Sequence, residues 1–373
     1  MSRPLHFLFA FQNGDFGGTE RITLHLIRGL QQAGHRCEVA SLMPMGTLRP
    51  YLEELDIPWV AWDFRRGRGL PALWGLWRHL RRSRADVLVQ IAQRAIATLA
   101  IGATPARAKI QQCLHHHAGT HPRSQWQAHY AAVRRVFDRV TFLTEWCRDE
   151  AVELAPEISD RSAVLYPPVP LEPPKSAAVQ AAARQALGLP ANAPIFGALG
   201  RQVPVKRFDV VLEVAAAIRA RRSDAHFLLV GDGPLHEELK ARAAAAGLQD
   251  AITWLRWQRD VDTVYRALDV LLFVSDWDAF GMVPCEALAV GTPAVCSVAN
   301  GGLLEVLDQG GWRAGAEGHD VQRLAARAVA LLEPSAAAAA VAQGRGRLES
   351  LCSLDGYVDG FLRLLPPGLR EAA

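Results

Sequence analysis

The sequence predicts an α/β protein built from two doubly wound, parallel-sheet domains, and three observations carry that prediction. The chain has 373 residues, enough for two domains of ordinary size. In both halves short apolar runs alternate with segments of helical periodicity, the pattern of successive β-α-β units. Between the halves, residues 166–174 hold five prolines in nine positions, which neither a helix nor a central strand accepts.

Taken in order, residues 5–11 read as a buried first strand. Residues 19–34 read as a helix, with Ile22, Leu26, Ile27 and Leu30 at helical spacing and Gly34 as its stop. Further strands are expected at 37–42, 60–62, 87–91, 109–114 and 140–143. Residues 1–168 then form the first domain, 169–190 a semi-rigid proline-rich linker, and 191–354 the second domain. Residues 355–373 form a helix that packs back onto the first domain. In the second domain strands are expected at 195–199, 227–230, 252–255, 270–274 and 294–297. Helices are expected near 208–221 and 283–289, and the alanine-rich 335–342 reads as an exposed helix. Such sheets bind ligands beyond the carboxyl ends of their strands, and two facing units enclose a cleft.

Composition narrows the classes. Half the residues are hydrophobic and 21% are charged, so the chain is globular, and no apolar run reaches the ~18 residues of a membrane span. The apolar stretch 5–11 is shorter than most signal-peptide cores, and a first strand explains it better. The six cysteines form no C-x-x-C pair, so neither a zinc site nor a disulfide framework follows, and a reduced, cytosolic compartment is the simplest reading. Residues 1–170 carry 21 basic against 15 acidic residues, a surplus of six, while residues 171–373 carry 20 against 23. A basic front half suits an anionic partner such as a membrane surface, a lipid-linked phosphate or an acidic glycan. Arginine supplies 37 of the 41 basic residues, which makes Lys206 stand out.

Two motifs carry chemistry. Gly200-Arg201 and Lys206-Arg207 bracket a loop between a strand and a helix. A planar guanidinium, a point-charge ammonium and free helix N–H groups together suit a diphosphate; a merely solvated loop is the alternative. The second motif runs from Ser275 through Asp278, Phe280, Gly281, Met282 and Glu286 to Pro293. It sets two carboxylates eight residues apart around a glycine turn at a helix start. Glu286 can accept both hydroxyls of a ribose; a core glutamate satisfied by a partner is the alternative.

With Gly231-Asp232-Gly233-Pro234, Asn300 to Glu305 and the N-terminal Phe16-Gly17-Gly18-Thr19-Glu20-Arg21 loop, these motifs make an ordered set of five. Over essentially its whole length the chain resembles the retaining glycosyltransferases of family 4 (glycosyl transferases group 1), with two facing Rossmann-like domains in the GT-B fold. The resemblance implies that Arg201 and Lys206 neutralise the departing diphosphate and that Glu286 grips the ribose. It implies that Asp278, with the backbone of Phe280, Gly281 and Met282, holds the donor sugar. Gly17 and Gly18 would admit the donor phosphate to the N-domain backbone, Gly231 would line the donor site, and Trp257 would lie by the base. Two positions depart from the family pattern: Asp278 stands where a glutamate is usual, and Arg256 where a glycine is common.

Three further features bear on the chemistry. His115, His116 and His117 follow an expected strand, and consecutive residues of an extended chain face opposite ways, which argues against one shared metal ion. The resemblance implies a histidine near the reacting sugar, and His116 and His117 are the candidates. Asp276 and Asp278 spell the D-x-D that chelates divalent ions in other glycosyltransferases, but Arg201 and Lys206 already serve the diphosphate, so no metal is expected. Residues 65–84 hold seven arginines, with Leu70, Leu73, Trp74, Trp77 and Leu80 at helical spacing. Such a basic amphipathic helix suits an anionic membrane interface; a helix packing on the sheet is the alternative. No nucleic-acid module accompanies the charge, and none is expected to bind.

The sequence therefore points to a hexosyltransferase moving a sugar from a nucleoside-diphosphate sugar, UDP favoured over GDP or ADP, to a glycan or lipid-linked acceptor without a metal. The resemblance implies lipopolysaccharide or other cell-envelope polysaccharide synthesis, in the cytoplasm and at the cytosolic face of the inner membrane. A nucleotide-sugar epimerase of the same fold and a non-catalytic nucleotide-sugar-binding protein are the alternatives.

Overall fold

A computed structural model describes residues 3–12, 14–64, 69–91, 102, 104–113, 122–307 and 319–371, the side chains of residues 299 and 300 excepted. Contacts divide the chain into two units, Met1–Pro168 with Ser353–Ala373, and Val169–Cys352.

The first unit holds β1 (His6–Phe11), α1 (Gly18–Gln32), β2 (Arg36–Ser41), α2 (Arg49–Glu54), β3 (Trp59–Ala61), α3 (Gly69–Ser83), β4 (Val87–Ile91), β5 (Ala108–Cys113), α4 (Arg123–Val136), β6 (Arg139–Phe142), α5 (Glu145–Leu154) and β7 (Ser162–Val164). The seven strands lie in the order β3-β2-β1-β4-β5-β6-β7, all parallel. Phe7, Leu8 and Phe9 of β1 are fully buried. A continuous apolar run fits a parallel strand covered on both faces, and each such side chain contributes about 1.5–3 kcal/mol by leaving water.

The second unit holds α6 (Ala177–Ala186), β8 (Ile195–Leu199), α7 (Phe208–Arg219), β9 (His226–Val230), α8 (His236–Ala245), β10 (Ile252–Leu255), α9 (Val261–Ala267), β11 (Val270–Asp278), α10 (Met282–Ala289), β12 (Ala294–Gly301), α11 (Leu303–Leu307), α12 (Val321–Ala330) and α13 (Pro334–Leu351). Its five parallel strands run β10-β9-β8-β11-β12. The chain then returns to the first unit as α14 (Leu354–Arg363) and α15 (Pro367–Arg370). On α14, Val358 lies against Gly29 of α1, Phe361 meets the Phe7 ring at 6.3 Å, and the Tyr357 hydroxyl accepts from Gln112 at 3.3 Å.

Strand order reverses between β1 and β4 in the first unit and between β8 and β11 in the second. These are the topological switch points where the loops diverge and leave room for a ligand. Three elements differ from the sequence reading. The linker read at 169–190 contains α6, started by the Ser176 hydroxyl accepting from Val179 N–H at 3.3 Å. That alanine-rich segment has little apolar periodicity, which hid it. Strand β7 was not foreseen. Strand β11 runs on to Asp278, so the acidic motif begins inside a strand. Among the described residues no single helix is long and apolar enough to cross a membrane.

Candidate active site

In the second unit, the two loops that flank the switch point are those after β8 and after β11. The first runs from Gly200 through a short 3-10 turn at Pro204–Lys206 to Arg207, whose left-handed backbone (φ 41°) precedes α7. The second turns at Gly281 (φ 84°), the residue before α10. A side chain is strained at that φ, and a Cβ there would meet Leu303 at 2.6 Å. Glycine is therefore required at this helix entry.

Contacts tie the two loops together. Lys206 Nζ pairs with Asp278 Oδ2 at 2.5 Å and lies 5.3 Å from the Phe273 ring centroid. The Arg207 guanidinium pairs with Asp276 at 3.0 Å and Asp209 at 3.1 Å. The hydrogen bonds to Asp209 and then Asp276 hold its pKa above the ordinary arginine value. Ser275 Oγ donates to Val205 O at 3.0 Å and Trp277 O at 2.7 Å. Asp278 Oδ1 accepts from the backbone N–H groups of Phe280 (3.1 Å) and Gly281 (2.7 Å). The two D-x-D carboxylates thus meet different cations, Arg207 and Lys206. Arg201 differs from its neighbours: it is exposed, and its guanidinium makes no ion pair or hydrogen bond among the described residues.

Glu286 sits half-buried on α10, and its Oε2 accepts from the Tyr265 hydroxyl at 2.7 Å. Tyr265 itself is fully buried. It escaped the sequence reading because a tyrosine in a short amphipathic helix, twenty-one residues before its partner, reads as core. Gly231 (φ 135°) ends β9, and a Cβ there would run into the Gly200 carbonyl, so this glycine lets the β8 and β9 loops touch. Beyond it, Asp232 is held below the usual carboxylate range by the Gly233 N–H and then by Arg256, which pairs with it at 2.5 Å. Arg256, in the place of a common glycine, therefore braces this turn. Trp257 next to it is 48% exposed. Two links were also missed: the buried Gln202 amide with His236 Nδ1 at 2.7 Å, and the part-buried His319 between Ser297 Oγ (2.8 Å) and Asp276 (3.3 Å).

In the first unit, Gly17 and Gly18 are exposed at the start of α1, on the loop after β1. A Cβ on Gly18 would meet nothing within 4 Å, so packing does not explain that glycine. The loop is held by Phe16 N–H donating to Thr47 Oγ1 at 2.8 Å and by the Phe16 ring stacked on Tyr51 at 3.9 Å. His115, His116 and His117 lie outside the described residues, as do Arg65, Arg66 and Arg68. The remainder of the basic segment is α3. It buries Ala72, Leu76 and Leu80 but leaves Leu70 82% and Trp74 61% exposed. Trp74 stacks on Trp77 at 4.9 Å, and Arg81 stacks on the far ring at 4.9 Å. The helix therefore packs on its unit and also presents a second apolar stripe.

The sequence profile of the glycosyl transferases group 1 matches residues 179–345, and that of glycosyltransferase family 4 matches residues 16–173. The chain belongs to the group 1 glycosyl transferases of family 4. This family 4 chain is 33% identical over 198 residues to the D-inositol 3-phosphate glycosyltransferase of Salinispora arenicola, which spans 50% of the chain and 44% of that protein. The like-named protein of a Mycobacterium species is 35% identical over 192 residues, 49% of the chain and 42% of that protein. The chain thus spans less than half the length of these curated relatives in the matched region. Among solved structures, Anabaena HepE in complex with UDP and glucose has a TM-score of 0.84 at 18% identity, covering 96% of this chain and 98% of that one. Sucrose-phosphate synthase from Thermosynechococcus elongatus has a TM-score of 0.70 at 16% identity, covering 96% and 98%. The group 1 chain therefore has the two-domain α/β GT-B fold.

Proposed function

We propose that the chain transfers a sugar from a nucleoside-diphosphate sugar to an acceptor hydroxyl, with retention at the anomeric carbon. The observation that carries this reading is the exposed Arg201, without an ion pair among the described residues, in the loop beside the β8/β11 switch point. Fixed cations next to a helix N-terminus suit a diphosphate. Lys206, on the same loop, is the second cation. Glu286, aimed by Tyr265, takes the ribose hydroxyls, and the Gly281–Met282 entry to α10 faces the donor. Trp257 lies by the base, and Gly231 lines the site. HepE was solved with UDP and with UDP-glucose, which favours UDP over GDP or ADP.

In the proposed reaction the bond from the anomeric carbon to the phosphate oxygen breaks as the bond to the acceptor oxygen forms on the same face. The acceptor proton passes to the departing diphosphate. Arg201 and Lys206 stabilise the charge that develops there. The protein's contribution is positioning and electrostatics. The engagement of Asp276 and Asp278 by separate cations supports a metal-independent site.

The acceptor is a glycan or lipid-linked hydroxyl of cell-envelope polysaccharide synthesis, reached from the cytosolic face. The exposed Leu70 and Trp74 on α3, among Arg78, Arg81, Arg82 and Arg84, support docking on an anionic membrane. The names of the sequence relatives favour a second acceptor reading, a phosphorylated cyclitol, which the basic first unit would equally attract. Release of UDP from UDP-sugars, with proton NMR of the product anomer, tests the proposal. An acceptor-dependent product of unchanged anomeric configuration is expected. Donor conversion that needs no acceptor would indicate an epimerase, and binding without conversion a binding protein.

A further inference from the structure

Asp278 is the last residue of β11, and its main chain is fixed on both sides. It pairs in register with Gly301 of β12, and its carbonyl accepts from Gly302 N–H at 3.0 Å. One methylene separates the carboxylate from this anchored backbone. Oδ1 takes two backbone N–H groups, those of Phe280 (3.1 Å) and Gly281 (2.7 Å), and Oδ2 takes Lys206 Nζ (2.5 Å). A carboxylate has about four acceptor positions, so most of its capacity is spent inside the unit. The partner lysine is held equally firmly. Its 3-10 turn is tied to β11 through Ser275 and Val205, and its ammonium lies by the Phe273 ring.

We infer that Asp278 is a positioning residue, which sets Lys206 and the entry to α10, and is not a ligand of the transferred sugar. The inference rests on the nucleotide-sugar reading above and departs from the role that the family resemblance implies for this position. A glutamate there would carry its carboxylate one bond farther from the strand. The aspartate instead closes a turn on its own chain and spends its charge on the lysine. Discrimination among donor sugars then comes from other groups.

Calorimetry with UDP, UDP-glucose and UDP-galactose tests this, because UDP has no sugar to lose. Asp278→Asn keeps an acceptor oxygen for the turn but removes the charge that holds Lys206. It is expected to weaken all three ligands by one common factor of about 2- to 12-fold, the cost of immobilising a long side chain on binding. In a Lys206→Met background the same substitution is expected to change nothing further, since coupled residues do not add. Loss of UDP-glucose or UDP-galactose affinity with UDP unchanged would overturn the inference, and so would additive losses. Tighter UDP binding would also overturn it, because the carboxylate would then compete for Lys206 instead of supporting it. Asp278→Glu, which keeps the charge, provides a second variant if Asp278→Asn does not fold, and its losses are expected to be common to all three ligands as well. Failure of the unaltered protein to bind any of the three would strike the nucleotide-sugar reading itself, a result distinct from each of these.

Discussion

Replacing Tyr265 with phenylalanine removes one oxygen from a fully buried ring and leaves its packing in place. The lost contact is the hydroxyl donating to Glu286 Oε2 at 2.7 Å. A hydrogen bond to a charged group contributes about 1.5–3 kcal/mol to the arrangement it supports. Only part of that reaches the nucleotide. Without the tyrosine the glutamate is held less firmly before binding, and the ligand must supply part of its immobilisation, at up to about 0.5–1.5 kcal/mol, or roughly 2- to 12-fold in Kd. The assay is calorimetric titration with UDP and with 2′,3′-dideoxy-UDP. Tyr265→Phe is expected to weaken UDP by that factor and to leave the dideoxy nucleotide, which offers Glu286 no hydroxyl, unchanged. Equal weakening of both nucleotides would show that Tyr265 acts on the fold and not through Glu286. An unchanged Kd for UDP would show that Glu286 does not grip the ribose.

Further outcomes follow from the same structure. Arg201→Ala is expected to lower turnover of a verified donor by about 10²–10³, the usual cost of losing a charge-stabilising donor, with melting temperature unchanged because the side chain is exposed; initial-rate kinetics check this. Burial, then Arg21 and Arg28, lowers the pKa of His25 from 6.5 to about 4. Between those values the unfolded chain binds the extra proton, so stability falls as pH drops from 6.5 towards 4, by up to about 3 kcal/mol. His25→Gln should flatten that part of a urea-melt pH profile. On α3, Arg78→Ala with Arg82→Ala should weaken co-sedimentation with anionic vesicles by about 2 kcal/mol, roughly 30-fold, and leave neutral vesicles unaffected.

Much of the fold was legible because parallel sheets write themselves as short apolar runs. The run at β8, ending in Gly200 and followed by Arg201, announced a strand, a loop and a cationic mouth in sequence order. Gly281 announced a helix entry, and its left-handed φ is the physical reason. What stayed hidden was pairing across distance. Nothing in the spacing of Tyr265 and Glu286 joins them, because α9 and α10 meet only through the fold. The turn by which Asp278 caps Phe280 and Gly281 is local, and short acidic side chains are prone to it. In sequence, a carboxylate that closes this turn looks the same as one that faces an external ligand. Helix α6 escaped for the opposite reason, since its alanines carry helix propensity without an apolar stripe.

The second unit is proposed to hold a nucleotide sugar at its β8/β11 switch point. The most direct measurement is the thermal unfolding of the whole protein with UDP-glucose, UDP-galactose, GDP-mannose and ADP-glucose, run beside Arg201→Ala. A ligand present at 100 times its Kd stabilises the native state by about 2.7 kcal/mol, which for a unit of this size is about 5–11 °C. Such a shift is expected for at least one UDP-sugar, and a smaller shift at the same concentration in Arg201→Ala. Transitions that no nucleotide sugar moves, or a shift that Arg201→Ala leaves intact, would contradict it.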